Sequence, residues 1–374
     1  MSKPKKGEAG ASLIATVDAA AFAKRLGFVQ GALPRRNTIP ILDCVLLEAD
    51  DGLVRLSVTN LDQQSEVTVE SDTRLPGAVC VDARRLLTVC ARMTGELLIT
   101  QEGNTLKLSA GRARAELPTL PAGDFASMRA PENADPIEIS SGALSAGIGS
   151  VLHAVSKEET RYYLCGVYMQ ADNGALVCTA TDGHRLATIR VTAGLPAGLA
   201  FEPAIVPTVM LRDILKFCER IGGPVVMTIS DDRLQVAGNG ECHITKLIDG
   251  NFPDYERVIP KGPGTRISLP RAELKAAVAM AITGTDEKSS AVKFECTEGV
   301  MTCRSRQDVQ WAEGSVEATD IPPCVPFGLN GNFVLQALDA ISADLVELIV
   351  TDSVGPVRVE TGDSLRQVVM PLRV

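Results

Sequence analysis

The sequence predicts an α+β protein built from three similar units, and three observations carry that prediction. A helix, strands, helix, strands pattern recurs three times along 374 residues. Between the helices, apolar residues alternate with polar ones at strand spacing. The chain is also too long for a single hydrophobic core.

Each unit opens with a small-residue amphipathic helix. These are predicted at Val17 to Leu33, Ser141 to Val155 and Pro270 to Ile282. Strands follow, for example Val54 to Val58, Gly166 to Met169 and Ala291 to Cys296. A second helix is predicted at Asp82 to Met93, Pro207 to Arg220 and Asn332 to Ser342, each after a short apolar strand. Each second helix leads into a hairpin. The hairpins join Leu97–Thr100 to Leu106–Ser109, Val225–Ile229 to Leu234–Ala237, and Leu345–Val350 to Val357–Glu360.

The first two units end alike, on Leu117 to Phe125 and Leu247 to Tyr255, where a Gly turn precedes an acid and an aromatic. Proline and glycine cluster at 130–136 and 261–265 and mark linkers. The expected division is a disordered leader over 1–12, then domains over 13–133, 134–263 and 264–374. The leader is basic and polar and lacks the apolar segment of a signal peptide. No apolar run reaches membrane-spanning length.

Composition narrows the chemistry. The net charge is −9, with 45% hydrophobic and 22% charged residues, which excludes wholesale disorder and a basic surface everywhere. Three histidines leave little for a histidine metal centre, and 4% aromatics argue against a base-stacking surface for single strands. No two of the ten cysteines are spaced as CxxC, and most lie in apolar runs such as Val79-Cys80-Val81. The cysteines therefore imply a reducing cytoplasm without a disulfide framework. No cofactor or metal is expected.

Charge is unevenly spread. The six helical segments, with short flanks, sum to +7, which leaves −16 elsewhere within the net −9. Two readings stand at this point. Helices simply favour lysine and arginine, or the helices share a DNA-facing surface while the strand-built exterior repels DNA.

Five motifs then carry a resemblance. They are Asn37-Thr38-Ile39-Pro40-Ile41-Leu42, Arg161-Tyr162-Tyr163-Leu164-Cys165-Gly166, Ala180-Thr181-Asp182-Gly183-His184-Arg185-Leu186-Ala187, Phe252-Pro253-Asp254-Tyr255, and the terminal Val368-Val369-Met370-Pro371-Leu372-Arg373-Val374. In this order they resemble the bacterial DNA sliding clamp family, the beta subunit of DNA polymerase III, over nearly the whole chain after residue 12. The resemblance implies three domains of the DNA-clamp fold and a head-to-tail homodimer ring, with helices lining the hole and antiparallel sheets outside. It implies a non-enzymatic processivity factor that encircles double-stranded DNA without sequence preference.

The resemblance also implies site residues. Arg36, Tyr162 and Tyr163 match DNA-touching positions, although a packed core role for the two tyrosines is the alternative. Lys24, Arg25, Arg84, Arg85, Arg212 and Lys216 join them on helix placement alone. A groove for partner peptides would take Leu164, Thr181, Gly183, His184, Arg185 and Leu186 from the second domain, with Pro253, Arg257 and Val258. The third domain would add Asn330, Phe333, Val354 and Pro356, then Val368, Val369, Met370, Pro371, Leu372 and Arg373. Leu, Val, Met and Pro make an adaptable apolar slot, and Arg185 and Arg373 suit peptide carbonyls or carboxylates. The implied partners are the replicative polymerase, the clamp loader, other proteins bearing the docking motif, and a second copy of the chain.

The chain departs from the family pattern at several positions. Thr208-Val209 stand where basic residues are usual, and the last helix has no basic residue. In the expected dimer contact, Ala115 replaces a larger apolar side chain and Ile282-Thr283 a more apolar pair. Near the groove Ser289 replaces an aromatic and Phe333 a tyrosine. Two rival functions are a monomeric clamp-like recruitment scaffold and a hydrolase using His184 with Asp182. The absence of a GxSxG elbow or a Walker loop speaks against the enzyme.

Overall fold

The computed structural model describes residues 11–34, 36–196, 201–285, 290–297, 299–307, 309–317, 322–362 and 364–373. Its six α-helices are α1 (Ala19–Val29), α2 (Ala83–Cys90), α3 (Ser141–Val151), α4 (Thr208–Ile221), α5 (Arg271–Ile282) and α6 (Gly331–Asp339). All six expected helices are present, most of them shorter than the periodicity suggests. The expected start of the first, Val17, is still strand and pairs with Leu97. Asp18 and Asp82 are N-caps, whose carboxylates accept from Ala21 N (2.8 Å) and Arg85 N (2.7 Å). Past Val29 and past Val151 the chain tightens into single 3-10 turns.

The expected leader also needs a correction. Residues 1–10 lie outside the described residues, but Ala11 and Ser12 belong to the strand Ala11–Asp18, and Ala11 pairs with Glu102. Backbone hydrogen bonding thus claims two residues assigned to the leader. Ser289 and Val374 also lie outside the described residues.

The chain forms two compact units. One comprises residues up to Glu138 together with Arg212–Lys246, and the other comprises Ile139–Leu211 and everything from Leu247 onward. The reason lies in the sheets. In the first unit, strand Glu241–Lys246 of the middle repeat pairs antiparallel with strand Gln63–Glu70 of the first repeat, with His243 opposite Ser65. In the second unit, strand Arg185–Thr192 of the middle repeat pairs with Leu365–Val369 of the third, with Ala187 opposite Gln367. The middle repeat is therefore shared between two continuous sheets of 13 and 8 strands.

Each unit has its own core. In the first, α1 buries Ala19, Phe22, Leu26 and Val29, a helical stripe at spacings of three and four, against Leu47, Leu56 and Leu97. In the second, α5 buries Leu274, Ala277, Val278 and Ala281 against Phe294, Phe327 and Leu329. The small-residue stripe has a packing reason: a Cβ on Gly314 would lie 2.6 Å from the Ala277 backbone, so strand and helix touch closely there. A further sheet, ordered Gln310–Glu317, Val300–Gln307, Ala291–Thr297 and Cys324–Asn330, completes the third repeat. All ten cysteines are free thiols.

Candidate partner groove and nucleic-acid-facing residues

The groove begins with a turn. Strands Ala175–Thr181 and Arg185–Thr192 are joined by Asp182-Gly183-His184. Asp182 Oδ1 accepts from His184 N (2.9 Å) and Arg185 N (3.0 Å), while Oδ2 accepts from Arg185 Nε (3.1 Å). Thr181 Oγ1 donates to Arg185 O (2.6 Å) and accepts from Gly183 N (3.1 Å). Gly183 adopts φ +88°, a conformation natural to glycine, and a Cβ there would meet Arg161 Nη1 at 2.7 Å. The Asp182 carboxylate is thus engaged with the turn and Arg185, and its hydrogen bonds hold the His184 backbone rather than its ring.

Arg185 is buried and engaged within the fold. Besides Asp182 it donates to Gln336 Oε1 (2.5 Å), and its guanidinium stacks 4.3 Å from the Phe333 ring centroid. It lines the smaller cavity and fastens the middle repeat to α6. His153 stands nearby. Burial first, and the Arg185 charge second, push its pKa from 6.5 down to about 4.

Two adjoining cavities result. The first, about 180 Å³, is lined by Leu164, Thr181, Gly183, Arg185, Leu186, Pro253, Tyr255, Val258, Val368 and Met370. The second, about 450 Å³ and more open, is lined by His184, Ala291, Asn330, Phe333, Met370, Pro371, Leu372 and Arg373. Met370 borders both, held by its N–H to His184 O (2.9 Å). Leu372 N is likewise tied to Gly328 O (2.8 Å), so the chain end is a fixed wall.

Most of the expected groove residues therefore come together. Four line neither cavity: Val369, which is buried in the core, Arg257, which is exposed and paired with Asp254 (2.7 Å), the exposed Val354, and Pro356. Sequence reasoning missed Tyr255 and Ala291. Tyr255 had a signal, since it ends the motif Phe252-Pro253-Asp254-Tyr255. Its hydroxyl accepts from Gln170 Nε2 (3.2 Å), and its ring meets Tyr168 edge-on at 6.3 Å.

The candidate DNA-facing residues are placed as follows. Lys24, Arg36 and Arg212 are exposed, with no ion-pair partner among the described residues. Arg25 donates to Asn239 O (2.8 Å). Arg84 is held by Asp43 (3.1 Å) and Pro34 O (2.9 Å), Arg85 lies 3.9 Å from Asp82, and Lys216 lies 3.7 Å from Asp213. Such exposed pairs are weak and exchangeable. Within the first unit, Lys24, Arg25 and Arg220 line one cleft of about 500 Å³ with Phe28, over which Arg220 stacks at 4.1 Å. In the second unit, Tyr162 is 54% exposed and edge-on to Tyr163 at 5.8 Å, which rules out a core role for Tyr162.

One constellation was not anticipated. In the first unit His243 bridges Ser65 Oγ (2.8 Å, through Nδ1) and Glu241 Oε1 (2.8 Å, through Nε2), and Glu241 also pairs with Arg220. The residue types are those of a hydrolytic triad. Their exposures of 1%, 1% and 4% close them to substrate, so the trio is a buried strut of the strand pairing.

Three repeats, continuous antiparallel sheets joining them, and an apolar groove walled by the chain end define a clamp-type architecture. The comparisons agree. The chain matches the N-terminal, central and C-terminal domain models of the DNA polymerase III beta subunit over residues 14–129, 138–254 and 256–373. It is 32% identical over 372 residues to the beta sliding clamp of Caulobacter vibrioides, covering 96% of this chain and 99% of that one. It is 30% identical over 366 residues to that of Salmonella typhimurium, with the same coverages. Among solved structures it superposes on a sliding clamp from Pseudomonas aeruginosa with a TM-score of 0.92, at 28% identity and covering 97% of this chain and 100% of that one. The chain belongs to the DNA polymerase III beta subunit family, the beta sliding clamps.

Proposed function

We propose that the chain is a replicative sliding clamp that works as a head-to-tail homodimer around duplex DNA. One observation carries the dimer. Each seam joins the fourth strand of one repeat (Gln63–Glu70, Arg185–Thr192) to the last strand of the next (Glu241–Lys246, Leu365–Val369). By the same rule one strand of each kind is left over. Among the described residues, the fourth strand of the third repeat, Gln310–Glu317, has a sheet partner on one side only, and in the last strand of the first repeat Ala113–Leu117 pair only with Thr105–Ala110. A second copy, offered head to tail, would supply each with the partner it lacks, and two such contacts would close a ring. The repeats would then act as domains over 13–133, 134–263 and 264–374.

In this reading Lys24, Arg25, Arg36, Arg84, Arg85, Arg212, Lys216 and the Tyr162–Tyr163 pair make diffuse, exchangeable contacts with phosphates. Loose contacts suit sliding, because retention comes from topology and not from affinity. The two cavities take a short apolar peptide from the polymerase, the clamp loader or another motif-bearing partner, with side chains entering the apolar slot beside Met370. The setting is the cytoplasm, and the chain carries out no catalysis of its own.

The deciding experiment loads the protein onto nicked circular DNA and onto the same DNA linearised. Retention on the circle with loss from the linear form supports the ring. Equal loss from both refutes it. The monomeric scaffold draws on the small Ala115 and on Thr283 in the expected contact. Sedimentation separates the two readings, since a single-chain species at micromolar concentration overturns the ring.

A further inference from the structure

We propose that Cys296 and Cys324 form a thiol pair that organic or hydrogen peroxide closes into a reversible cross-strand disulfide. Three observations in the third repeat carry this. The two residues are direct register partners on strands Ala291–Thr297 and Cys324–Asn330. Directly opposed residues of an antiparallel pair have Cα atoms about 4.5–5.5 Å apart, inside the about 4.4–6.8 Å that a disulfide spans. The register shifts between Phe294 and Cys296, an irregularity of the kind that re-aims a side chain, and the two sulfurs lie 2.7 Å apart. The strands therefore need no rearrangement to be joined.

The pair also has a nucleophilic member and a route to solvent. Cys296 is buried, with Met301 Sδ 3.8 Å from its sulfur, whereas Cys324 is half-buried and reachable. The hydrogen bond with Cys296 holds the Cys324 thiol below its ordinary value and drives Cys296 up. The other thiols are all raised, chiefly by burial: Cys44 and Cys218 to about 11, and Cys80, Cys90, Cys178, Cys242 and Cys303 to about 12. Cys165 is raised for the same reason. Cys324 thus stands apart as the reactive sulfur.

The chemistry balances. The Cys324 thiolate attacks one peroxide oxygen, the O–O bond breaks, and the leaving alkoxide or hydroxide takes up a proton, giving a sulfenic acid and an alcohol or water. The Cys296 sulfur then attacks the sulfenyl sulfur. The S–O bond breaks, and hydroxide departs with the Cys296 proton as water. Two thiols have lost two electrons, and the peroxide has gained them. A dithiol reverses the step by exchange.

The test treats the full chain with hydrogen peroxide, quenches it, and counts thiols under denaturing conditions with a maleimide. Two of the ten thiols should disappear, a non-reducing peptide map should join Cys296 to Cys324, and dithiothreitol should restore both. Cys324→Ser should keep all its remaining thiols. Cys296→Ala should stop at a sulfenic acid on Cys324, trapped by dimedone. Retention of all ten thiols by the wild type, a bridge between other cysteines, or loss of two thiols from Cys324→Ser would each overturn the proposal.

Discussion

The two seams use one backbone arrangement for opposite ends. At Gln63–Glu70 with Glu241–Lys246, the space beside the paired strands is filled by Ser65, His243, Glu241 and Arg220. At Arg185–Thr192 with Leu365–Val369, the ladder is equally regular, but beyond its end the chain leaves two cavities around Met370. One seam is a strut and the other a strut with a socket. The difference arises at single positions. His243 fills its seam with a buried polar chain, whereas Arg185, held by Asp182, Gln336 and Phe333, walls a cavity lined also by Leu, Val, Pro and Met.

The comparison can be broken most strongly at the filled seam. Glu241→Ala leaves the buried His243 without its carboxylate acceptor and frees the exposed Arg220 at the cleft, and a buried group left without its hydrogen-bond partner costs about 1–3 kcal/mol. Urea unfolding should show that loss, and a change under about 1 kcal/mol would mean the chain is not a strut.

Acid should separate the seams next. His153, beside the socket, has its pKa lowered to about 4, so protonation is harder folded than unfolded. Stability from its neutral ring is whole above 6.5 and is lost as pH falls from 6.5 towards about 4, a decline of about 3 kcal/mol. In the other seam burial alone would raise Glu241, but the His243 hydrogen bond and the charges of His243 and Arg220 outweigh it and hold it below its ordinary value. Its contribution is whole above the ordinary carboxylate pKa and is lost only in more acid solution. Chemical denaturation as a function of pH should therefore show two steps, and His153→Gln should remove the one at higher pH.

The socket is tested by Val258→Asp. Val258 is 43% exposed at the rim of the smaller cavity, so a carboxylate there leaves the core intact. Fluorescence anisotropy with a labelled docking peptide should show affinity falling about tenfold, or about 1.4 kcal/mol, while the melting temperature holds. Unchanged affinity would remove the peptide from this cavity. The smallest effects belong to the exposed cations. Lys24→Ala and Arg212→Ala should each lower the salt dependence of DNA binding by about one phosphate contact at most. A loss of binding far beyond that would mean tight clamping in place of sliding.

The repeats, all six helices and most strands were legible in the sequence, because amphipathic spacing and small-residue stripes follow directly from packing on a sheet. Helix ends were less legible: Asp18 and Asp82 read as helix but serve as caps. The groove was legible mainly through its motifs, and at residue level it lost Val369, which alternation turns into the core. The strut was not legible. Ser65 and His243 are separated by 178 positions, and nothing local announces that two strands so far apart will be neighbours. The cysteine pair was hidden for the same reason, since only the register of two strands brings Cys296 opposite Cys324.

The half-open strands Gln310–Glu317 and Ala113–Leu117 carry a further consequence for the cell. Each lacks a ladder partner along one edge among the described residues, and in the proposed dimer the two serve as complementary ends. Complementary ends on one subunit are the ingredients of a filament as much as of a circle. The proposed pair of copies is the smallest closed assembly, and it leaves no sticky end. In that reading closure after two copies is what keeps the protein from polymerising, and a mutation that prevented closure would convert a ring into a fibre.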